Sequence, residues 1–437
     1  MTTLSKLTNT LILLFLFLLP WQTRWIYSLA TLNGRPWEYG TLSFYGTEIL
    51  LWLIVILTGA RLFGNKDFWK RIASRSNFAE RWPALVIGVA IAFFAAYFYA
   101  VSPVKEISSQ FASRFIGSIC LMICLMASNL NFKQMGLAFW GGGVAQGILA
   151  ISQFLFQHIS ANKWLGISAQ KAYEPGTAVV QAGAERWLRA YGSFGWPNSL
   201  GVYLAVALIV GAIIFSQSKK SYWPYILAGQ MVIFIGLIFS FSRGSWLAVV
   251  AGLLVYFAVV YKQKNNFALL TLAKQIFAFI LITAVLMPPY FSLFATRLGS
   301  VGNLESISLS ERVAQYNVAE TIIRENLLTG VGPGLYTYYL AAVYPAPAYG
   351  LYQPVHNIYL LAVSELGVLM FMCLCVYVIW LIRQIWNKNP MYLSVIIVLL
   401  ISGLFDHFLW SLFAGQALFW VVFGLGLAKK GPPPLLK

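Results

Sequence analysis

The sequence contains little charge. Only 10% of its 437 residues are Asp, Glu, Lys or Arg, whereas about a quarter of the residues in a soluble globular protein are charged. This composition excludes a soluble globular protein. Because 59% of the residues are hydrophobic and long uncharged runs recur, the sequence predicts an all-α, polytopic integral membrane protein.

Aspartate and cysteine are also scarce. Asp67 and Asp406 are the only aspartates, so there is no D-x-D motif, and we expect neither a metal nor a cofactor. All four cysteines lie inside apolar runs, which is typical of small buried hydrophobic residues rather than disulfides or metal ligands. A cleavable signal peptide is not expected, because bulky residues and no small-x-small site follow the apolar run 7–20.

Many of the apolar runs approach or reach the roughly 20 residues that a helix needs to cross a bilayer. They predict one membrane domain, 1–437, with about twelve spans, of which the first is the weakest because Arg24 interrupts it. The predicted spans are 8–28, 43–63, 83–101, 113–130, 135–157, 197–216, 223–241, 245–261, 271–291, 357–382, 391–410 and 412–428.

The net charge of +17 would suggest nucleic-acid binding in a soluble protein, but in a membrane protein basic residues collect in cytoplasmic loops. Most of the lysines and arginines fall on one side if both termini are cytoplasmic. That orientation places two long loops, 158–196 and 292–356, outside, where the larger one precedes the last three spans.

The segment 309–367 concentrates polar chemistry beside apolar spans. An S-x-x-E capping box, Ser308 to Glu311, predicts a helix that runs to about residue 328, where the glycine turn GVGPG stops it. Arg312 and Tyr316 are four residues apart and share one face of this helix.

Three arginines in glycine-, serine- and aromatic-rich settings are candidates for binding a diphosphate, because guanidinium groups hold phosphate oxygens in pairs. They are Arg189, Arg243 and Arg312. Arg243 lies in a very short hairpin, and Gly244 beside it suggests a close approach of a ligand to the backbone. The alternatives are snorkelling for Arg243 and ion pairs with Glu185 and Glu311 for the other two. Arg186, Arg297 and Arg324 look ordinary.

His356 is the candidate general base. It precedes an apolar span, and a helix N-terminus disfavours the imidazolium form, which leaves the neutral imidazole that a base requires. The alternative is a structural histidine, as expected for the interfacial His158.

Three further polar groups lie in or beside the last spans. Glu365 is nine residues from His356, almost on the opposite helix face, and a helix-packing role is expected. Asp406 and His407 form either a structural hydrogen bond or support for the site, and the sequence favours the structural role.

Tyrosines crowd the region before the tenth span, where they can form an interfacial belt or a platform for sugar rings. The candidate sugar or acceptor contacts are Tyr316, Tyr336, Tyr352 and Asn357.

Four short motifs together resemble the O-antigen ligase family, which includes related O-antigen polymerases. They are R-x-Y-G-S-F-x-W-P-N at 189–198, S-R-G-S-W at 242–246, R-x-x-x-Y with L-L-T-G-V-G-P-G at 312–334, and H-N-x-Y-L…E-L-G at 356–367. The resemblance covers about residues 185–370.

The resemblance implies a GT-C-type membrane glycosyltransferase of the bacterial inner membrane, active without a metal at the periplasmic face. Its donor would be a glycan on undecaprenyl diphosphate and its acceptor a lipid-anchored hydroxyl, most simply on lipid A-core, with no nucleic acid involved. Arg243 and Arg312 match arginines thought to hold the donor diphosphate, Arg189 matches less closely, and His356 matches the base.

Other activities stay open at this stage. A polymerase would use another lipid-linked glycan as acceptor, and a different ligase would attach glycan to protein or to a wall polymer. A transporter is the alternative from another class, since twelve spans are common there. Against it, the two halves show no repeat, and polar residues cluster at one membrane face.

Overall fold

A computed structural model describes residues 3–64, 102–299, 303–343 and 352–429. Helices dominate these residues, as the composition predicts. In chain order they are α1 Thr3–Leu18, α2 Gly46–Phe63, α3 Lys105–Ala127, α4 Phe132–Phe156, α5 Pro197–Ser216, α6 Trp223–Phe239, α7 Arg243–Lys262, α8 Asn266–Leu286, α9 Phe291–Gly299, α10 Asn303–Glu325, α11 Tyr336–Val343, α12 Ile358–Lys388, α13 Leu393–Gly403, α14 Phe408–Ser411 and α15 Phe413–Leu427.

Within the described ranges, eight helices are long and apolar enough to cross a membrane: α2 to α8 and α12. Three shorter apolar helices, α1, α13 and α15, match the predicted first, eleventh and twelfth spans. The predicted span 83–101 lies outside the described residues. The mostly helical architecture with several candidate membrane-spanning helices is consistent with the predicted polytopic membrane protein, whereas the count of twelve is not confirmed.

The first predicted span is wrong at its C-terminal end. Helix α1 ends at Leu18, just before Pro20, and the residues after it turn into a strand. Arg24 lies in that strand and pairs with Glu38, the Nη1–Oε1 distance being 2.6 Å. A charged residue predicted to interrupt a span therefore lies beyond it.

Short strands occupy the connections, and the sequence did not predict them. They are β1 Arg24–Ser28, β2 Thr31–Leu32, β3 Arg35–Pro36, β4 Leu42–Tyr45, β5 His158–Ile159, β6 Gln170–Lys171, β7 Val179–Ala182 and β8 Glu185–Leu188. They pair antiparallel as β1 with β4, β2 with β3, β5 with β6 and β7 with β8. The predicted loop 158–196 is thus built from two hairpins.

Helix α5 is the central helix of the bundle and is buried along its whole length. It packs against α4, α6, α7, α8 and α13. Glycines on α4 allow close helix packing, since a Cβ on Gly147 would lie 2.7 Å from the carbonyl oxygen of Val232 in α6. A polar group inside this core is hydrogen-bonded on both sides: Gln230 accepts from Trp140 Nε1 at 2.9 Å and donates to Gln275 at 2.8 Å.

The described part of the predicted loop 292–356 carries helices α9, α10 and α11. Helix α10 begins at Asn303, so the predicted start at a capping box of Ser308 and Glu311 is wrong. Both residues lie inside the helix, whose first turn instead supplies Glu305 to a buried ion pair with Arg297. That tertiary contact extends the helix beyond the local capping signal.

Candidate active site

Arg243 is the first residue of helix α7 and lies at one end of the bundle. Its Nη2 lies 3.1 Å from Glu305 Oε2, and its Nη1 donates to the carbonyl oxygen of Arg297 at 3.2 Å. Gly244 beside it is explained by packing, because a Cβ there would lie 2.7 Å from the Cβ of Phe405. The guanidinium group of Arg243 is thus held in place from two sides.

Arg297 is the functional candidate that the sequence did not suggest. It is buried, its Nε donates to the carbonyl oxygen of Phe241 at 2.9 Å, and its Nη1 is bonded to Glu305. One carboxylate therefore bridges Arg243 and Arg297. Burial lowers the pKa of Arg297, and Glu305 opposes that effect. No local motif marks Arg297, because its partner lies on the next helix.

Arg189 lies behind the same region and is buried. Its Nε donates to the carbonyl oxygen of Ser240 at 2.8 Å, and its Nη2 donates to Asn198 Oδ1 at 2.7 Å. Arg189 therefore binds Ser240 and Asn198, rather than Glu185, which the sequence analysis considered as its ion-pair partner. Burial, and then the neighbouring Arg297, lower the pKa of Arg189 well below its usual range. An anion nearby would offset both effects.

A small cleft brings Arg243, Arg297 and Arg312 together. Asn198, Val202, Ser242, Gly244, Ser245, Ser402, Phe405 and Asp406 complete its wall. Arg312 reaches it from α10 as a half-buried side chain, and within the described chain it has no hydrogen-bonding partner. The three guanidinium groups outnumber the two carboxylates, those of Glu305 and Asp406, so the cleft region has a net positive charge. This arrangement suits a multiply charged anion such as a phosphate or diphosphate.

His356 lies just before helix α12, and its Nδ1 is 2.8 Å from Oε1 of Gln315 on α10. Its ring meets the ring of His407 edge-on, with centroids 5.3 Å apart. Burial lowers the pKa of His356 to about 4; His407 and Arg312 act in the same direction, and Asp406 opposes them. The imidazole is therefore neutral at pH 7, as predicted, although burial rather than the helix terminus is the main cause.

Residues 228–375 match the family model described as O-antigen ligase. The chain is similar to that family over these residues. The matched segment contains Arg243, Arg297, Arg312 and His356, whereas Arg189 lies before it. No curated protein shows a significant sequence match to the chain. The family resemblance predicted from the four motifs is confirmed for this segment.

Asn357 and the candidate tyrosines make internal contacts. Asn357 Oδ1 caps α12 by accepting from Tyr359 N at 2.9 Å, and Tyr352 accepts from Asn33 Nδ2 at 2.6 Å. Tyr316 donates to the carbonyl oxygen of Leu404 at 3.4 Å. Tyr336 is fully buried, and it lines a second cleft near Glu365. These contacts favour structural roles, so the sugar-contact assignment of the four residues stays a prediction.

Asp406 and His407 do not pair with each other. Asp406 Oδ1 accepts from Phe408 N at 2.8 Å, which starts α14. His407 Nδ1 lies 2.6 Å from Ser411 Oγ. Since His407 contacts His356 and Asp406 lines the arginine cleft, both residues adjoin the site. The structural hydrogen bond between Asp406 and His407 that the sequence favoured is replaced by these separate contacts with Phe408 and Ser411.

Hydrogen bonds join the segment around the GVGPG turn to α12, and they hold in place the helices that carry the site. Glu365 accepts from Gly334 N at 2.9 Å, Tyr336 N at 3.3 Å and Trp410 Nε1 at 2.7 Å. Helix α12 breaks at Gly367, whose φ is 72° and ψ is 166°. The packing role expected for Glu365 therefore takes the form of anchoring the turn that follows α10.

Within the described ranges, no group of three or more His, Cys, Asp or Glu side chains is placed to hold a metal ion.

Proposed function

We propose that the chain is a membrane glycosyltransferase that transfers a glycan from undecaprenyl diphosphate to an acceptor hydroxyl, most simply on lipid A-core. The observation that supports it best is the juxtaposition, inside the O-antigen ligase segment, of a three-arginine cleft and a neutral histidine. Arg312 and Gln315 lie one helical turn apart on α10, so the cleft and His356 are adjacent.

The guanidinium groups of Arg243, Arg312 and Arg297 supply the donor site in this proposal. They face one cleft and can bind the oxygens of a diphosphate in pairs. Charge grows on the leaving diphosphate as its bond to the sugar breaks, and fixed positive groups stabilise that charge without rearranging. Arg189 acts indirectly, because its Nη2 holds Asn198 in the cleft wall.

His356 serves as the general base. Its Nε2 takes the proton from the acceptor hydroxyl while the hydroxyl oxygen forms a bond to the anomeric carbon. The bond from that carbon to the diphosphate oxygen breaks, its electron pair leaves on undecaprenyl diphosphate, and the configuration inverts. Because the pKa of His356 is lowered to about 4, this base is available across the neutral range.

The site, its two flanking loops and the acceptor would lie on the periplasmic side of the bacterial inner membrane, with both termini cytoplasmic. Most lysines and arginines outside the site fall in the connections that this orientation makes cytoplasmic.

The test is glycan transfer by purified protein, with glycan on undecaprenyl diphosphate as donor. Replacing His356 by Gln keeps a hydrogen-bonding side chain but no base, and should cut turnover by about 10²- to 10⁴-fold. The matched control is His158→Gln, since the His158 side chain in strand β5 is exposed and should tolerate the change. Near-normal turnover by His356→Gln would remove the base from the mechanism.

The acceptor is tested in the same assay. Lipid A-core and a second lipid-linked glycan are offered separately, with the same donor. Transfer to lipid A-core supports the ligase, whereas chain growth on the lipid-linked glycan alone would contradict it and identify a polymerase.

A further inference from the structure

Gln315 is a polar residue on the buried side of α10. It is 9% exposed, and the residues four and seven positions later, Ala319 and Ile322, are 0% and 3% exposed. A polar side chain on an otherwise apolar helix stripe costs stability unless it is hydrogen-bonded. The partner of Gln315 is the catalytic candidate itself, His356, at 2.8 Å.

In the structure the Gln315 amide is oriented with its oxygen towards Nδ1 of His356, and this orientation implies which nitrogen of His356 carries the proton. The carbonyl oxygen of an amide only accepts hydrogen bonds, so the His356 Nδ1 facing Gln315 Oε1 must donate. A neutral imidazole has one N–H, so Nε2 keeps its lone pair. The nitrogen able to take a proton is thus the one that points away from α10.

We propose that Gln315 is a positioning residue that holds His356 as the Nδ1-protonated neutral tautomer and thereby makes Nε2 the base. The inference rests on the proposed function for its catalytic consequence but not for the tautomer. It also couples two parts of the site, because Gln315 and Arg312 lie three residues apart on α10. Any movement of α10 displaces the donor-binding arginine and the hydrogen-bonding partner of the base together.

A neutral partner differs from the carboxylate that often orients a catalytic histidine. A carboxylate would favour the imidazolium form, whereas an amide fixes the tautomer without adding charge. The other groups that shift the pKa of His356 are Arg312, which lies on α10 with Gln315, and His407 and Asp406, which lie in the segment after α13. Asp406 is the only one of these that favours the imidazolium.

The tautomer is read directly by nitrogen NMR of protein labelled with ¹⁵N-histidine. His158, His356 and His407 are the only histidines, so His158→Gln and His407→Gln spectra assign the His356 signals in the full-length protein. We expect a protonated Nδ1 and a bare Nε2 at pH 7. A protonated Nε2, or an imidazolium, would overturn the proposal, and neither reading depends on whether the protein transfers glycan.

Two variants test the catalytic consequence. Gln315→Leu should lower kcat about ten- to a hundredfold, a part of the total contribution of a positioned base, with little change in the donor KM. Gln315→Glu should move the acidic limb of the pH–rate profile upward by about 1–3 units, because a carboxylate next to the imidazole raises the pKa of His356.

Asn317→Asp is the matched control, since it adds the same charge to an exposed position of α10. An acidic limb for Gln315→Glu that coincides with that of Asn317→Asp would show that Gln315 only packs. So would a Gln315→Leu protein whose kcat equals that of the wild type. Thermal unfolding of each variant identifies any loss that arises from misfolding, and the NMR reading of the wild type decides the tautomer without any variant at position 315.

Discussion

At the scale of single residues, the site depends on how one carboxylate is shared. Glu305 binds both Arg243 and Arg297, so it neutralises part of their charge and holds both guanidinium groups at the cleft. The geometry suits Arg better than Lys at position 243, because one guanidinium group reaches Glu305 and the Arg297 carbonyl through different nitrogens.

Arg243→Lys should therefore weaken donor use although it keeps the charge. We expect the donor KM to rise about ten- to a hundredfold, since a hydrogen bond to a charged group contributes about 1.5–3 kcal/mol. The acceptor KM should stay unchanged. The control is Arg324→Lys, because Arg324 is exposed and pairs with Glu320 along the surface of α10. If both variants use the donor equally well, Arg243 does not bind it.

The residues found from sequence were those whose neighbours in the chain are unusual. Arg243, Arg312 and His356 lie beside apolar runs or within aromatic and glycine-rich motifs. A charged or titratable group is costly in such a setting, so its presence indicates a function. Arg297 and Gln315 were not found, because their meaning comes from partners on other elements, Glu305 and His356. Sequence periodicity contains no information on such tertiary contacts.

At the scale of elements, the break in α12 is what joins the polar helix α10 to the membrane bundle. Val368 N donates to the carbonyl oxygen of Leu327 at 2.8 Å, and Val331 N donates to that of Ser364 at 2.9 Å. The chain after α10 thus fills the gap in the hydrogen-bonding ladder of α12. Since α10 carries Arg312 and Gln315, this joint sets their distance from His356.

Gly367→Ala should disrupt that joint. The φ and ψ of Gly367 fall in a region that is almost exclusive to glycine, and a Cβ there would lie 2.2 Å from the carbonyl oxygen of Leu328. Gly183→Ala is the control for backbone strain alone: its φ is 63°, and its Cβ would meet nothing within 4 Å. We expect Gly183→Ala to cost about 1–2 kcal/mol and Gly367→Ala clearly more, measured as thermal unfolding in detergent. If the two substitutions destabilise the protein equally, the proposed role of Gly367 in joining α10 to α12 would be wrong.

Hydropathy predicted the long helices because a bilayer imposes about 20 apolar residues on each of them. It could not predict the strands, which are two to five residues long. The start of α10 could not be predicted from sequence either, because Glu305 in its first turn forms an ion pair with Arg297 of the preceding helix. Hydropathy therefore found most of the long apolar helices, whereas the strands and the helix start that depend on tertiary contacts were not predicted.

At the scale of the whole molecule, the site and the lysine-rich connections lie at opposite ends of the bundle. Helix α5 starts next to Asn198 in the arginine cleft and ends at Ser216, beside Lys219 and Lys220. Helix α7 likewise starts at Arg243 and ends at Lys262. Each helix has 20 residues, and at about 1.5 Å per residue that length matches the hydrocarbon core of a bilayer.

This polarity predicts the orientation in the membrane. Lysines at short connections stay cytoplasmic, so Lys219 should be inside and Ser308, on the arginine-bearing helix α10, outside. Reporter fusions after each residue measure this, with a phosphatase active only outside and a fluorescent protein that folds only inside. We expect fluorescence at Lys219 and phosphatase activity at Ser308. The reverse pattern would place the arginine cleft in the cytoplasm, where a donor presented at the periplasmic face could not reach it, and the proposed transfer would then be wrong.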